Sequence, residues 1–213
     1  MLEIDKIYNI DCLEGMRSIP DNSIDCIVTS PPYNKGEKKN SGVLVGAVKY
    51  DNYEDTMAEE DYQKNQILVL DEMYRILKNG GSVFYNHKNR YEDGVFISPL
   101  YWIKECKLQV RQEIIWNRVI AANLRAWRFW SNDERIYWLQ KRKGTEIPMD
   151  YAKLGSVWTV LPEKEKRGHP CPFPQKITDI CIGATCKKGN IVLDPYMGSG
   201  TTAISAIKPN VIT

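Results

Sequence analysis

Hydrophobic and polar positions follow two different periods along this chain, and the period changes from one segment to the next. Short apolar runs, and positions that alternate between apolar and polar, predict β-strands. Apolar residues three or four positions apart predict helices. The predicted strands cover residues 6–11, 24–29, 82–86, 109–116, 134–140 and 190–194. The predicted helices cover residues 12–19, 58–77, 94–106, 173–186 and 201–207.

Turn-forming residues separate these elements. Pro20 is expected to stop the first helix, and Asn79-Gly80-Gly81 predicts a C-cap for the helix at 58–77. Because short apolar strands alternate with helices, the sequence predicts an α/β domain built on a largely parallel sheet. Ligands of such sheets bind beyond the carboxyl ends of the strands. Two predicted strands run into unusual loops at that point, and both loops are candidates for chemistry.

The first candidate loop follows the strand at 190–194 and reads Asp-Pro-Tyr-Met-Gly-Ser-Gly-Thr-Thr. An acid at a strand end, a glycine-rich turn and a helix form an arrangement that is typical of nucleotide-cofactor sites, because glycines allow close backbone approach. Neither the P-loop pattern nor the Gly-x-Gly-x-x-Gly dinucleotide pattern is present in the loop. Taken alone, the loop is equally consistent with a tight strand-to-helix turn that has no ligand.

The second candidate loop follows the strand at 24–29 and reads Thr-Ser-Pro-Pro-Tyr-Asn. Two prolines fix the backbone, so the carbonyls of Ser30 and Pro31 are held ready to accept hydrogen bonds from an exocyclic amine. Tyr33 offers a flat face on which a planar base can stack. Edge hydrogen bonds and a stacking partner are what chemistry on a flipped nucleobase requires. A proline-rich turn with a core tyrosine is the alternative for this loop alone.

Composition narrows the class of protein. A chain of 213 residues that is 43% hydrophobic and 26% charged fits one globular domain with a sizeable core. Its six cysteines form no Cys-x-x-Cys pair, which indicates reduced thiols rather than disulfides or a zinc site. The charged start predicts no signal peptide, and the longest apolar runs are too short to cross a bilayer. We therefore expect a cytoplasmic location and no membrane partner.

Net charge is only +2, but residues 117–168 hold 11 Lys or Arg against 6 Asp or Glu. This basic segment fits a local anionic partner, and scattered solvated lysines would explain it equally well.

Taken together, the two loops resemble the amino-methylating DNA methyltransferases, which use S-adenosylmethionine to methylate adenine N6 or cytosine N4. The family's catalytic Asp/Asn/Ser-Pro-Pro-Tyr/Phe motif is matched at residues 30–33, and its Asp-Pro-Phe-x-Gly-Ser-Gly-Thr cofactor motif is matched at 194–201 with Tyr196 in place of Phe. His-Pro-x-Pro-Phe-Pro is matched at 169–174, and an early Asp-Cys pair is matched by Asp11 and Cys12. The catalytic loop precedes the cofactor loop, as in the permuted beta class.

The resemblance implies a Rossmann-like S-adenosylmethionine-dependent methyltransferase sheet with a circularly permuted motif order, in a single domain over residues 1–213. It assigns the catalytic role to Ser30, Pro31, Pro32 and Tyr33. It assigns cofactor binding to Asp11, Cys12, His169, Phe173, Lys176, Asp194, Tyr196, Gly198, Ser199, Gly200 and Thr201, and no metal. Ser30 leaves the methylated base open between adenine and cytosine.

The same resemblance places an inserted target-recognition region at 117–168. We expect the DNA-binding residues there to be Arg118, Arg125, Arg128, Lys141, Arg142 and Lys143, because Arg and Lys neutralise phosphates. Expected partners are double-stranded DNA, a second copy of the chain in a homodimer, and a cognate restriction endonuclease. The implied process is restriction-modification, or modification of phage or host DNA.

One departure from the family pattern leaves alternatives open. The family has a ribose-binding acid on a strand after the cofactor loop, whereas no Asp or Glu follows Asp194 here. We therefore expect a chain truncated at its C-terminus, with its activity in doubt. The alternative function is a catalytically impaired DNA-binding remnant of such an enzyme. Methylation of RNA or protein fits the motif order poorly, and a dehydrogenase lacks its dinucleotide pattern.

Overall fold

The structure is a computed structural model that describes residues 3–34, 56–121, 126–144, 146–163 and 173–208. Within these ranges it is a mixed α/β fold with one six-stranded sheet and a separate two-stranded hairpin. The strands are β1 Ile24–Thr29, β2 Leu77–His87, β3 Arg90–Glu92, β4 Val95–Ile97, β5 Gln109–Asn117, β6 Asp133–Gln140, β7 Val157–Thr159 and β8 Val192–Leu193. The helices are α1 Cys12–Arg17, α2 Glu59–Ile76, α3 Leu100–Ile103, α4 Met149–Ala152, α5 Gln175–Thr185 and α6 Thr201–Ile207.

The order of the strands in the large sheet is β7-β5-β6-β2-β1-β8. β1 is parallel to both β2 and β8, and β5 is parallel to β7. β6 is antiparallel to both of its neighbours, β2 and β5. The first residues of β6 therefore lie at the same edge of the sheet as the last residues of β1 and β2.

Each face of the sheet carries its own hydrophobic core. In β1, Ile27 packs into one core, whereas Cys26 and Val28 pack into the other. Side chains of adjacent residues in a strand point to opposite faces, so a strand covered on both sides reads as a continuous apolar run. Helices α1, α2 and α3 cover the first face, and α5 and α6 cover the second. Helices on both faces leave the strand ends as the accessible part of the sheet.

Most predicted elements are confirmed. β1 and α6 have the predicted bounds, and α1, α2, α5, β5 and β6 match within a few residues. The predicted strand at 6–11 is wrong, because the chain there pairs with no strand and Ile7 is 74% exposed. Only residues 95–97 and 100–103 of the predicted helix at 94–106 are regular, the first as a strand. The sheet is also less parallel than predicted, since β6 runs against its neighbours.

The Gly80-Gly81 pair is a second correction, because it lies inside β2 and is not a helix C-cap. A Cβ on Gly81 would lie 2.8 Å from the carbonyl oxygen of Asp25 and 2.9 Å from the Leu77 side chain. The glycine therefore allows the start of β2 to approach β1 closely.

Two strands of the large sheet, β6 and β7, come from the interval 117–168. Trp138 in β6 is 5% exposed and belongs to the core of the second face. In its described part, the interval therefore contributes to the central sheet. Its proposed role in target recognition stays a prediction.

The described cysteines are all free thiols, and Cys26 and Cys181 are buried. None of the helices in the described ranges is long and apolar enough to cross a membrane. The same ranges contain no cluster of three His, Cys, Asp or Glu side chains that could hold a metal ion.

Candidate active site

The two candidate loops begin at neighbouring strand ends. β1 and β8 are adjacent and parallel, with Ile27 opposite Leu193, so Thr29 and Asp194 leave the sheet side by side. Thr29 Oγ1 donates a hydrogen bond of 2.7 Å to Asp194 Oδ1. This contact joins the start of the Ser-Pro-Pro-Tyr loop to the start of the Asp-Pro-Tyr-Met-Gly-Ser-Gly loop. Both loops lie at the carboxyl ends of parallel strands, which is where ligands bind in such sheets.

We call the first group of side chains the catalytic corner: Ser30, Tyr33, Asn86, Arg118 and Glu134. Ser30 Oγ and Tyr33 Oη are 2.8 Å apart, and Tyr33 Oη donates to Glu134 Oε2 at 3.0 Å. Asn86 Nδ2 donates to the same Glu134 oxygen at 3.0 Å, and it lies 2.5 Å from Tyr33 Oη and 3.3 Å from Ser30 Oγ. A single carboxylate thus organises both polar side chains of the catalytic loop.

Glu134 and Asn86 are almost completely buried, with 6% and 1% of their surfaces exposed. Arg118 Nη1 donates to Glu134 Oε1 at 2.9 Å and balances its charge, while the guanidinium lies 5.4 Å from the centre of the Trp116 ring. Buried charges need such a partner, because an isolated ion is costly to remove from water. Asn86 Oδ1 is buried and has no hydrogen-bond partner among the described residues. Such an unpaired buried acceptor is uncommon in folded proteins and calls for an explanation, of which a role in the site is one.

His87, at the end of β2, supports the loop from below. Its ring lies 4.6 Å from the Tyr33 ring, centre to centre, with 42° between the planes. The hydroxyl of Tyr62 donates to the carbonyl oxygen of Pro32 at 2.7 Å, and its oxygen also lies 2.7 Å from His87 Nε2. Helix α2 therefore holds the backbone of the Ser-Pro-Pro-Tyr loop through Tyr62.

We call the second group the cofactor corner: Cys12, Thr29, Asp194, Tyr196 and Thr202. Asp194 Oδ2 accepts a hydrogen bond of 2.7 Å from Thr202 Oγ1, and Asp194 Oδ1 accepts from Thr29 and from the backbone N–H of Tyr196. Burial raises the pKa of Asp194 from its ordinary value of 3.8, although these three donors act in the opposite direction. The carboxyl group therefore ties β1, β8 and α6 together.

Cys12 and Asp11 hold the start of the chain against the cofactor loop. Cys12 Sγ donates to Tyr196 Oη at 3.2 Å, and burial raises the pKa of this thiol. Asp11 is the N-cap of α1, where its Oδ1 accepts from the backbone N–H groups of Leu13 and Glu14. The structure thus brings Cys12 into contact with the cofactor loop, and the binding of the cofactor by Asp11 and Cys12 stays a prediction.

The glycine-rich turn has the backbone that its sequence demands. Gly198 and Gly200 have positive φ angles of 52° and 77°, which favour glycine over other residues. Gly200 is the N-cap of α6, and the hydroxyls of Ser199 and Thr201 are 3.1 Å apart.

Other predicted cofactor residues lie further along the second face. Phe173 contacts Trp116 edge to face, with 5.9 Å between the ring centres. Lys176 is exposed in the first turn of α5. His169 lies outside the described residues.

The structure separates the predicted DNA-binding residues into two groups. Lys141 follows the end of β6, at the edge opposite the catalytic corner, and its Nζ donates to Asn22 Oδ1 at 2.7 Å and to the carbonyl of Leu77 at 3.1 Å. Arg142 and Lys143 follow it along the chain. The antiparallel β6 thus carries these three residues to the end of the sheet opposite the catalytic corner, and their role in DNA binding stays a prediction.

Arg118 and Arg128 lie between the end of β5 and the start of β6, at the same edge of the sheet as the catalytic corner. Arg118 is paired with Glu134, as described above. Arg128 Nη1 donates to the carbonyl of Phe129 at 2.9 Å and to Ser131 Oγ at 2.7 Å, and its guanidinium lies 4.3 Å from the centre of the Tyr91 ring. Both arginines thus have partners inside the protein. Arg125 lies outside the described residues.

Sequence reasoning missed three members of this site: Asn86, His87 and Glu134. The first two end a predicted apolar strand, and the strand-end rule that singled out Thr29 and Asp194 could have found them. No local pattern pointed to Glu134, because the direction of its strand in the sheet is not visible in the sequence.

Comparison with known proteins decides the family. The family model described as DNA methylase, for N6 and N4 enzymes, matches residues 24–211. The chain belongs to this DNA methylase family. Curated methylase relatives include the type II methyltransferase M.BglII of Bacillus subtilis, which is 26% identical over 238 residues, with 94% of this chain and 61% of the relative covered. The type II methyltransferase M.HinfI of Haemophilus influenzae is 27% identical over 231 residues, with 95% and 62% covered. The chain thus spans about three fifths of the length of these curated relatives.

Solved structures show the same methylase fold. The PvuII DNA methyltransferase, which is cytosine-N4-specific, superposes with a TM-score of 0.75 at 18% identity, covering 97% of this chain and 79% of that chain. TTHA0409 of Thermus thermophilus, complexed with S-adenosyl-L-methionine, superposes with a TM-score of 0.64 at 21% identity, covering 92% and 82%. At these identities the likeness concerns the fold.

Proposed function

We propose that the protein transfers the methyl group of S-adenosylmethionine to the exocyclic amino nitrogen of a base in double-stranded DNA, either adenine N6 or cytosine N4. The observation that carries this proposal is the direct contact between the two loops, through the hydrogen bond from Thr29 to Asp194. It places the predicted base-binding residues next to the predicted cofactor turn. Membership of the DNA methylase family supports the same reaction.

The residues of the cofactor corner fit S-adenosylmethionine. The positive φ angles of Gly198 and Gly200 keep the turn free of side chains beside the strand end, so the backbone is open to close approach by a ligand. Asp194 acts indirectly in this proposal, since its carboxyl oxygens already accept three hydrogen bonds within the protein. The bound cofactor supplies an electrophilic methyl group on a sulfonium ion.

The catalytic corner would activate the amino group. That nitrogen is a weak nucleophile, because its lone pair is delocalised into the ring. Ser30 Oγ and the Pro31 carbonyl would accept its N–H groups, and the unpartnered Asn86 Oδ1 is a further acceptor in the same corner; such acceptors favour a lone pair directed away from the ring and stabilise the positive charge that develops on nitrogen. As the new N–C bond forms and the S–C bond breaks, one amino proton is released to solvent.

Tyr33 is proposed to stack on the extruded base. Its hydroxyl is anchored by Glu134, and one side of its ring faces His87. The anchored ring is fixed in orientation before the base arrives, which lowers the entropic cost of aligning nitrogen, methyl and sulfur.

Incubation of the folded chain with methyl-labelled S-adenosylmethionine and mixed-sequence duplex DNA tests the proposal. We expect label in DNA, and digestion to nucleosides should yield N6-methyladenine or N4-methylcytosine. Ser30→Ala should lower the transfer rate by a factor on the order of 10²–10³, as removal of one stabilising hydrogen-bonding group does in other enzymes. Ser23→Ala is the matched control, since Ser23 Oγ bonds to Pro20 O at the opposite edge of the sheet.

A folded chain that labels no duplex DNA would contradict the proposal, and DNA binding without cofactor binding would support the alternative of an impaired DNA-binding remnant. The comparisons with known proteins do not favour that alternative. A homodimer, a cognate endonuclease and a cytoplasmic location remain predictions.

A further inference from the structure

In the catalytic corner, the charge of Glu134 determines which atom donates and which accepts in each hydrogen bond. An ionised carboxylate accepts hydrogen bonds and donates none. Glu134 Oε2 is 3.0 Å from Tyr33 Oη, so the Tyr33 hydroxyl proton points to Glu134. The buried Arg118–Glu134 pair holds that carboxylate in place.

The orientation of the Tyr33 hydroxyl then determines the role of Ser30. A tyrosine hydroxyl has a single proton, and the proton of Tyr33 is committed to Glu134. The 2.8 Å contact between Ser30 Oγ and Tyr33 Oη must therefore be donated by Ser30. With its own proton committed, Ser30 can offer only lone pairs to a ligand.

The same carboxylate orients Asn86. Its side-chain amide must turn Nδ2 towards Glu134 Oε2, at 3.0 Å, because only the NH₂ group can donate there. Asn86 Oδ1 is consequently left as the buried acceptor without a partner in the described part of the chain. Two acceptors, one on Ser30 and one on Asn86, are created by one charge.

We infer that Glu134, held by Arg118, is a positioning residue that fixes the direction of the hydrogen bonds in the catalytic corner, so that Ser30 and Asn86 present acceptors to the substrate amino group. The inference rests on the proposed amino-group methylation. Glu134 itself acts through Tyr33 and Asn86, since both of its oxygens are occupied by protein donors. Neither residue of the ion pair needs to touch the substrate.

Glu134→Gln is the decisive variant. A glutamine amide has nearly the same shape, but it can either donate or accept at that position, so the direction is no longer imposed. We expect kcat for methyl transfer to fall about 100-fold, as misplacement of reacting groups does, while the KM for S-adenosylmethionine stays unchanged. Glu113→Gln is the matched control, because Glu113 pairs with Arg135 at 3.0 Å on the exposed side of β5.

A double-mutant cycle separates positioning from general destabilisation. Tyr33→Phe removes the hydroxyl that relays the direction, so adding Glu134→Gln to it should cost much less than in the wild type. Additive losses in kcat would overturn the inference. If Glu134→Gln unfolds the chain, the double variant with Arg118→Gln removes both charges of the pair, and its kcat should still be low.

Failure of this inference differs from failure of the proposed function. If the wild type methylates DNA and Glu134→Gln is equally fast, the inference is wrong and the proposed function stands. If the wild type labels no DNA, proton NMR of the free chain still decides the direction. The Tyr33 hydroxyl proton should exchange slowly in the wild type and quickly in Glu134→Gln, and equal exchange in both would overturn the inference.

Discussion

The catalytic corner and the cofactor corner lie on either side of the end of β1, yet they are built in different ways. In the catalytic corner, the buried acid Glu134 is paired with Arg118 and accepts hydrogen bonds from Tyr33 and Asn86. In the cofactor corner, the acid is Asp194, which hydroxyls and one backbone N–H hold without an opposite charge. The first arrangement surrounds its carboxylate with an opposite charge and two further donors, whereas in the second, burial raises the pKa of Asp194.

This difference has a structural origin. In the cofactor corner, two of the three donors to Asp194 lie within eight residues of it, and Thr29 comes from the adjacent strand β1. The catalytic corner collects residues 30, 86, 118 and 134 from two strands, β2 and β6, and from the loops after β1 and β5, and an ion pair fixes this wider assembly. The comparison teaches that adjacent halves of one site can differ in how much each depends on charge, and four experiments test it.

The largest effect is expected from removing the countercharge in the catalytic corner. Arg118→Met leaves Glu134 buried without its partner, and breaking a buried pair in this way costs roughly 3–5 kcal/mol. Urea denaturation measures the loss in the free energy of unfolding. The double variant with Glu134→Gln should recover most of it, and a double variant as unstable as Arg118→Met would show that charge is not what the corner needs.

In the cofactor corner, one lost donor should cost less. Thr202→Val removes the 2.7 Å hydrogen bond to Asp194 with little change in shape, and we expect a loss of about 1–3 kcal/mol in the free energy of unfolding. Thr159→Val is the control, since Thr159 accepts only a long 3.4 Å bond from Asn117 at the surface. If Thr202→Val lost as much free energy of unfolding as Arg118→Met, the two corners would not differ as proposed.

The pH dependence of stability provides a smaller signal, and its sign follows from the raised pKa of Asp194. A carboxyl group whose folded-state pKa is raised stabilises the fold below its ordinary value of 3.8, and this contribution is lost as the pH rises through the folded-state pKa. Relative to Asp194→Asn, wild-type stability should therefore fall as the pH increases above about 4. Thermal melts of both proteins across that pH range measure the difference in stability. A wild type that gained stability relative to Asp194→Asn as the pH increased would contradict the expected sign.

The smallest effect is expected at the opposite edge of the sheet. Replacing Lys141, Arg142 and Lys143 together by Gln should leave DNA affinity and its salt dependence nearly unchanged, because β6 carries them away from the catalytic corner. Three lost phosphate contacts would instead lower the slope of log K against log salt by roughly 3. Filter-binding titrations at several salt concentrations distinguish the two results.

Sequence patterns predicted the parts of the fold that depend on local information. The unbroken apolar run of β1 and the glycine turn before α6 gave correct bounds, because burial on both faces and positive φ angles leave direct traces in residue type. Alternation alone failed at 6–11, where no neighbouring strand is present to pair. The Asn-Gly-Gly segment was misassigned because a glycine needed for close strand approach looks the same as a glycine needed for a cap.

The candidate site was predictable to the same extent. Ser30, Tyr33 and Asp194 stand in compact motifs, and the structure brings their loops together. Glu134 and the position of Lys141 mark the limit, and they share one cause. Both depend on β6 running antiparallel between β2 and β5, a pairing that no window of the sequence contains.

That same pairing has a consequence for how the protein acquires activity. Glu134 reaches Tyr33 only after about a hundred intervening residues have been arranged. Closing such a long loop has an entropic cost, and contacts of this kind form late and slowly in folding. We expect refolding chains to regain helical content before they regain methyl transfer. Competence for catalysis would then report completion of the central sheet.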